Sequence, residues 1–567
     1  MRVKIAFLSV TAFLIVGIVF SQESRKPKLV LQITVDQLRG DLPDKYMKNM
    51  GEGGFRYLKA QGIWYTNAHY GHANTETVVG HTVLATGADP AVNGMISNVW
   101  FDREKGKLVY NIEDSRYHIL STGADVDQST EIDASQKLAS TDGRSPSNIM
   151  VTTFSDELLL KNNGKSKVFG VSVKDRGAVT LAGHTGKAFW FSKSKGEFIT
   201  SSYYYEKYPK WVEKWNKSKM PAKTFGGKSW ELLNERSTYM FADEDNMPWE
   251  TDVAGFGITF PHKYRAADNK YFNNFLIYSP AGDDLTLDFA KALVKGEEIG
   301  KDDITDFLAI SFSSTDYVGH LFGPSSLEAE DNMLRLDKTL ADLFAFIDKE
   351  VGLENTLIVL SADHGGPEAP GYLESKGIES GYVSPEEWDK KPSIARLKKK
   401  FGIGQELIQS FFPPYVYLNE KVIAEKGLDL QEVEKAVAHE LMTIKGIALV
   451  VTRTELERNE LPDTYLTRKA LKNFSVKRSG NILILFAPQY FINHYQGEVV
   501  SANHGGPWMY DSYVPVIFAG MNIKGNKVNR KIEPKDIAST LANYFRTKPP
   551  SGADGEVLSE VINQLNK

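Results

Sequence analysis

The sequence predicts an α/β fold, with a mostly parallel central sheet flanked by helices and with cap insertions. Three observations carry that reading. Short, continuous apolar runs recur along the chain and end in polar or charged residues, segments of helical period lie between them, and carboxylates or imidazoles follow several of the runs. Continuous apolar runs of this length suit strands buried on both faces, as in a parallel sheet covered by helices.

Taken in order, the first element is a leader. Arg2 and Lys4 precede an uncharged stretch from Ile5 to Phe20, and Val19-Phe20-Ser21 resembles a cleavage site, so residues 1–21 read as a secretory signal peptide. A retained anchor is the alternative, since the stretch is long for a leader core and short for a full span. With cleavage, the expected protein is periplasmic or secreted, with no stable membrane insertion, and residues 22–567 form a single domain.

The strand candidates are Leu29–Val35 before Asp36, Val168–Val173 before Lys174, Phe307–Phe312 before Asp316, and Leu357–Leu360 before Asp363. Helical patterns cover Gly53–Gln61, Val78–Ala85, Leu327–Glu350 and Pro534–Phe545. In the third of these, Met333, Leu334, Leu336, Leu340, Leu343 and Phe344 fall at helical spacing and read as core. Two intervals read as cap insertions, about 101–167, which is polar and irregular, and about 366–500, which carries strands and helices of its own. The basic run Lys390–Lys400 alternates with Ile394, Leu397 and Phe401 and reads as a solvated helix face.

Composition narrows the chemistry. The chain of 567 residues has 67 Lys+Arg against 72 Asp+Glu, a net charge of −5, without the basic footprint of a nucleic-acid binder. Zero Cys excludes disulfides, thiolate-ligated zinc, iron–sulfur clusters and a thiol nucleophile. Metal chemistry must then use carboxylates and the 11 His. Thr315-Asp316-Tyr317-Val318-Gly319-His320, Ser361-Ala362-Asp363-His364-Gly365 and Ala502-Asn503-His504-Gly505-Gly506, together with Asp36, offer six ligands, enough for two sites. Mixed His and carboxylate donors favour Zn²⁺ and leave Mn²⁺ and Fe open. In open α/β sheets such groups gather beyond the carboxyl ends of the strands.

Thr77 sits where the helical pattern at Val78 begins. A hydroxyl there is ordinarily a cap, but a helix start is also an anion site, and a hydroxyl brought to a divalent metal is a competent nucleophile. Lys174 and Arg176, two apart, would face one side of a regular strand.

These segments resemble the alkaline phosphatase superfamily. Val35-Asp36-Gln37, Thr77 before Gly80-His81-Thr82, Asp316-x3-His320, Asp363-His364-Gly365 and His504-Gly505 follow its order. Val171-Ser172-Val173-Lys174-Asp175-Arg176 and Ser97-Asn98-Val99-Trp100 are similar to the single-domain, threonine-nucleophile, phosphate-irrepressible bacterial alkaline phosphatases. The similarity runs from about Lys28 to near the C-terminus. It implies an alkaline-phosphatase-like fold and hydrolysis of small-molecule phosphate monoesters through a phosphothreonine on Thr77. It also implies two Zn²⁺: Asp36, Thr77, Asp363 and His364 would bind one, and Asp316, His320 and His504 the other. Asn98, Lys174 and Arg176 would hold the phosphoryl oxygens. The expected assembly is a monomer. A phosphodiesterase or nucleotide pyrophosphatase on the same scaffold is the main alternative, and a non-catalytic phosphate-binding surface protein is a further one. His81 reads as a hydrogen-bonding support, not a ligand.

Overall fold

The structure, a computed structural model, describes residues 26–131, 133–493 and 499–566. The leader expected over residues 1–21 lies outside them. Among the described residues no helix is long and apolar enough to cross a membrane.

A nine-stranded sheet forms the centre. Its strands are β1 (Leu29–Val35), β2 (Ile63–His69), β3 (Val168–Ser172), β4 (Lys187–Ser192), β5 (Glu197–Ile199), β6 (Asp306–Phe312), β7 (Thr356–Ser361), β8 (Tyr513–Gly520) and β9 (Asn526–Val528). Their spatial order is β9-β2-β8-β7-β1-β6-β3-β4-β5. From β7 through β1, β6 and β3 to β4 every pairing is parallel. β8 runs antiparallel to both its neighbours, and β5 opposes β4. The four strands expected from apolar runs are the adjacent central ones, and every residue of β1, β3, β6 and β7 is buried. Strands covered on both faces have no solvent side, so they need no polar alternation.

Register positions the site. Val35 lies opposite Phe312, Thr34 opposite Ser361, and Ser311 opposite Ser172, so the four strands end together on one edge of the sheet. Whatever follows those ends in sequence is brought together in space.

The helices that matter most are α1 (Thr77–Thr86), α2 (Asp175–Ala182), α3 (Ser314–Phe322), α4 (Leu327–Glu350) and α5 (Asp536–Phe545). Alternation along β1 divides the core: Leu29, Leu31, Ile33 and Val35 pack with Leu336, Leu340 and Phe344 of α4, while Val30 joins Ile537 and Leu541 of α5 on the other face. The first predicted helix starts at Phe55 instead of Gly53. There the Asp337 carboxylate takes the Phe55 and Gly51 amides, and a Cβ on Gly54 would lie 2.2 Å from it.

The interval 101–167 is less irregular than its sequence suggests. It holds a hairpin of Val99–Asp102 with Lys107–Tyr110, a short helix Ala134–Lys137, and the helix Phe154–Lys161, started by a Thr153/Asp156 capping box. Within 366–500 a four-stranded antiparallel sheet runs in the order Ile408–Phe412, Tyr415–Leu418, Ile482–Phe486, Ile447–Thr452. Helices Pro392–Phe401 and Leu430–Leu441 cover it over a separate core that includes Trp388, Ile394, Val437 and Ile484. The basic run lies on the first of these helices, with Ile394 and Phe401 buried and Lys399 and Lys400 exposed.

Candidate active site

At the aligned strand ends, the chain leaving β1 presents Asp36, whose amide bonds Phe312 O at 2.8 Å. Gln37 then takes a positive φ of 64° and gives its amide to Asp363 Oδ1 at 3.2 Å. Asp363 and His364 follow β7. Asp316 and His320 stand one turn apart on α3, which puts them on one helix face. His504 arrives from the loop before β8. Nε2 of His364 lies 3.4 Å from Asp36 Oδ1 and 3.3 Å from Asp363 Oδ2. Nε2 of His320 and of His504 lie 3.3 and 3.4 Å from Asp316 Oδ1. The ligand atoms form two groups, Asp36/Asp363/His364 and Asp316/His364/His504, so His364 borders both.

The orientation of the imidazoles shows what these groups can hold. Nδ1 meets a backbone carbonyl in all three: Ala502 O for His320 (2.9 Å), Gly365 O for His364 (2.8 Å) and Thr75 O for His504 (2.9 Å). A carbonyl only accepts, so Nδ1 carries the proton and Nε2 presents a lone pair. His364 Nε2 and Asp36 Oδ1 are therefore two acceptors facing each other, both buried and neither hydrogen-bonded. Such an arrangement fits a cation between them. Burial lowers the His364 pKa to about 3 against the pull of Asp363, keeping the ring neutral, as a ligand must be. Burial also opposes the charge on Asp363, but the His81 hydrogen bond and Lys174 hold that carboxyl below its usual range. Asp36 is raised by burial and by Asp316 and Asp363, with Lys174 countering.

Thr77 is the first residue of α1, and Glu76 occupies the cap position without a side-chain cap bond. The Thr77 hydroxyl is thus not spent on capping, and it lies 3.5 Å from Arg176 Nη2. The helix start packs against the Asp363 backbone so closely that a Cβ on Gly80 would fall 1.8 Å from Asp363 O. His81 braces the same contact, with Nδ1 2.8 Å from Thr77 O and 3.0 Å from Asp363 Oδ2, and Nε2 2.9 Å from Ser311 Oγ. Asn98 Oδ1 accepts the Val78 amide at 3.1 Å.

Lys174 and Arg176 do not sit on a strand, as their spacing suggested. β3 stops at Ser172, Lys174 occupies the cap position of α2, and Arg176 lies in its first turn. Both nevertheless reach the site. Lys174 Nζ is 2.7 Å from Asp36 Oδ2 and also pairs with Asp316. Burial opposes its charge, yet those two carboxylates hold its pKa above the ordinary lysine value. Arg176 Nη1 pairs with Asp133 Oδ2 at 2.7 Å. Thr77, Asn98, Lys174, Arg176, His320 and His504 all line one cavity of about 470 Å³.

Sequence reasoning missed Asp133, Gln37 and Glu76. Asp133 caps the helix Ala134–Lys137 by accepting the Ser135 amide at 3.0 Å. An Asp before Ala-Ser-Gln is the sequence signal for such a cap, though not for a partner of Arg176. Gln37 donates Nε2 to Asp316 Oδ1 at 3.0 Å, and nothing in its neighbours marks it.

Residues 30–507 match the family model described as type I phosphodiesterase / nucleotide pyrophosphatase. The chain is 36% identical to alkaline phosphatase PafA of Elizabethkingia meningoseptica over 542 residues, covering 95% of each chain. It is 33% identical to alkaline phosphatase PhoV of Synechococcus elongatus over 547 residues, covering 96% of this chain and 94% of that one. The crystal structure of wild-type PafA matches with a TM-score of 0.84 at 35% identity, over 95% of this chain and 99% of that one. With the sheet and the cluster of carboxylates and imidazoles at its strand ends already in view, the matches assign this chain to the type I phosphodiesterase/nucleotide pyrophosphatase family of the alkaline phosphatase superfamily.

Proposed function

We propose that this chain is an exported, monomeric phosphomonoesterase that uses two zinc ions and a phosphothreonine intermediate. The observation that carries the reading is the Thr77 hydroxyl, free of capping duty, 3.5 Å from Arg176 and in one cavity with His320 and His504. Asp36, Thr77, Asp363 and His364 would hold one ion, and Asp316, His320 and His504 the other. Bound there, two divalent cations supply positive charge that favours ionised hydroxyls and offsets charge on entering and leaving oxygens.

The remaining work falls to the chain itself. Thr77 Oγ adds to phosphorus in line with the ester oxygen, the P–O ester bond breaks, and the alcohol departs with a proton. Water then attacks the phosphothreonine and releases inorganic phosphate, returning the proton to Thr77. Arg176, Lys174 and the Asn98 amide face the non-bridging oxygens, where positive charge is most useful to phosphoryl transfer. Asp133 fixes the Arg176 fork, and the helix dipole at the start of α1 adds partial positive charge.

The alkaline phosphatases named above support the monoester reading, and the leader sequence supports export. The description of the family model favours a second reading, a diesterase on the same scaffold. The deciding experiment compares kcat/KM for a matched aryl phosphate monoester, diester and sulfate with zinc-loaded protein. The monoester should lead, and a preference for the diester would transfer the proposal to that second reading.

A further inference from the structure

We propose that Glu76 is a positioning residue, whose carboxylate holds Asn98 against the start of α1 so that the Asn98 amide nitrogen is presented to the phosphoryl group. This inference rests on the phosphoryl-transfer reading and adds to it how the anion-facing amide is aimed.

Three donors from two segments converge on one oxygen. Glu76 Oε2 accepts the Asn98 backbone amide at 2.8 Å, Ser97 Oγ at 2.9 Å and Asn74 Nδ2 at 2.8 Å. On its other side Asn98 is tied through its carbonyl, which accepts the Asn111 amide at 3.2 Å and Asn111 Nδ2 at 2.7 Å. Its side-chain oxygen takes the Val78 amide at 3.1 Å. Val78 N–H is a donor left over by the first turn of the helix, so the Asn98 atom facing it must be the oxygen. The NH₂ group is then the end left to the cavity that Asn98 lines.

A carboxylate suits this junction better than any neutral group. Three donors crowd one oxygen here, and a charged carboxylate oxygen accepts them with stronger, charge-assisted bonds than a neutral amide or hydroxyl oxygen can. The same charge stands one residue before Thr77, where it repels a phosphate dianion. A negative group in that place raises the cost of binding unless its hydrogen bonds organise the site. Asn74 extends the junction to the 366–500 insertion, through Nδ2 to Pro413 O at 3.2 Å. The insertion, the Asn98 segment and the nucleophile's helix therefore meet at Glu76.

The test is a double-mutant cycle with hydrogen exchange, on zinc-loaded protein. Glu76→Ala should lower kcat/KM for an aryl phosphate monoester by about 10- to 100-fold, the size expected for loss of a charge-assisted contact. In an Asn98→Ala background the same substitution should cost less than about 3-fold, because the residue it acts through is already gone. Glu76→Gln keeps one acceptor and should fall between wild type and Glu76→Ala. Amide exchange in the Ser97–Asn98 segment should quicken in Glu76→Ala while the α4 core remains protected. Should Glu76→Ala not fold, Glu76→Gln completes the same cycle. Equal losses in both backgrounds, or unchanged exchange at Ser97–Asn98, would overturn the assignment. If wild-type protein turns over no monoester, the functional reading fails, while the exchange measurement still decides whether Glu76 holds Asn98.

Discussion

Two buried acidic clusters in this molecule look alike in composition and behave in opposite ways. One is Asp36, Asp316 and Asp363 at the strand ends, and the other is Glu328 and Glu250 beside His262. In the first, Lys174 sits between Asp36 and Asp316, and Asp316 and Asp363 are held below the usual carboxyl range, while Asp36 alone is raised by burial and by those two neighbours. In the second, burial and the neighbouring Glu328 push Glu250 up to about 9, and burial with Asp245 and Asp331 raises Glu328. His262 is 3.0 Å from Glu328 and packed among Trp230, Phe256, Phe260 and Phe322, where burial lowers its pKa to about 4. Among the described residues, only the strand-end cluster brings three or more ligand atoms within 4.8 Å of one another. Buried carboxylates alone do not make a site. Acceptors facing acceptors mark one, because a cation between them satisfies both at once, whereas protonation of Glu250 relieves the second cluster.

The sharpest way to break that contrast is to take the metal away. Chelation should remove about two equivalents of zinc, abolish monoester turnover and lower Tm, since a ligand that binds only the folded state stabilises it. The groups differ in access. Asp36, Asp363 and His364 are fully buried, while the His320 and His504 side chains are 17% and 6% exposed. The ion on the His320 side should therefore leave first in a time-resolved metal analysis. A single equivalent, or full activity with Ca²⁺ alone, would contradict the two-zinc reading.

Next in size is the proposed nucleophile, Thr77. Thr77→Ala should reduce kcat by ~10⁴-fold or more with Tm nearly unchanged, because the hydroxyl makes no cap bond that the fold depends on. Thr77→Ser should retain activity, since the oxygen survives. Acid quenching with labelled substrate should recover phosphate on Thr77, and label on any other residue would refute the assignment.

The cation pair is a smaller and more selective lever. A monoester dianion offers more non-bridging charge to Lys174 and Arg176 than a diester does. A charge-assisted contact contributes roughly 1.5–3 kcal/mol, so removing both should matter by a factor of several hundred. Replacing both with Ala should shrink the monoester-to-diester ratio of kcat/KM by at least ~100-fold. Equal losses on both substrates would mean that the pair serves general anion attraction or structure.

Those experiments rest on residues that were legible in the sequence, and the reason is physical. A parallel strand buried on both faces must be continuously apolar, so its end is marked by the first polar residue, as at Asp36 after Val35 and Asp363 after Ser361-Ala362. The α4 helix was legible over its whole length, Leu327–Glu350, because its apolar stripe is long. What could not be read were contacts made across the chain. Asp133 reaches Arg176 from 43 residues away, and Gln37 reaches Asp316 from 279. Lys174 and Arg176 lie beyond the strand end, as the run Val168–Val173 implies, but a helix cap and a helix first turn, not one face of a regular strand, aim the two at one place. The helix Phe154–Lys161 went unread in a stretch that looked irregular, although Thr153 three residues before Asp156 is the spacing of the capping box that starts it.

The second cluster supplies the mildest test, one of stability. Glu250 has a folded pKa of about 9 against an ordinary value of 4.5, raised by burial and then by Glu328. Between those values the folded state keeps a proton that the unfolded chain has lost, so the folded state binds more protons. Stability must then fall as pH rises through that window, with the contribution intact below the lower value and lost toward the upper one. Glu250→Gln never ionises, keeps an oxygen for the Met247 amide that Glu250 now accepts, and offers an NH₂ toward the acidic neighbour. It should leave stability near pH 5 unchanged and add about 2 kcal/mol near pH 9, or roughly 2–4 °C in Tm. Zinc should be present throughout, so that the strand-end carboxylates do not add a titration of their own. A Tm difference that is equal at pH 5 and pH 9 would show that Glu250 is ionised in the fold. The two clusters would then differ only in what surrounds their charges, not in whether they carry them.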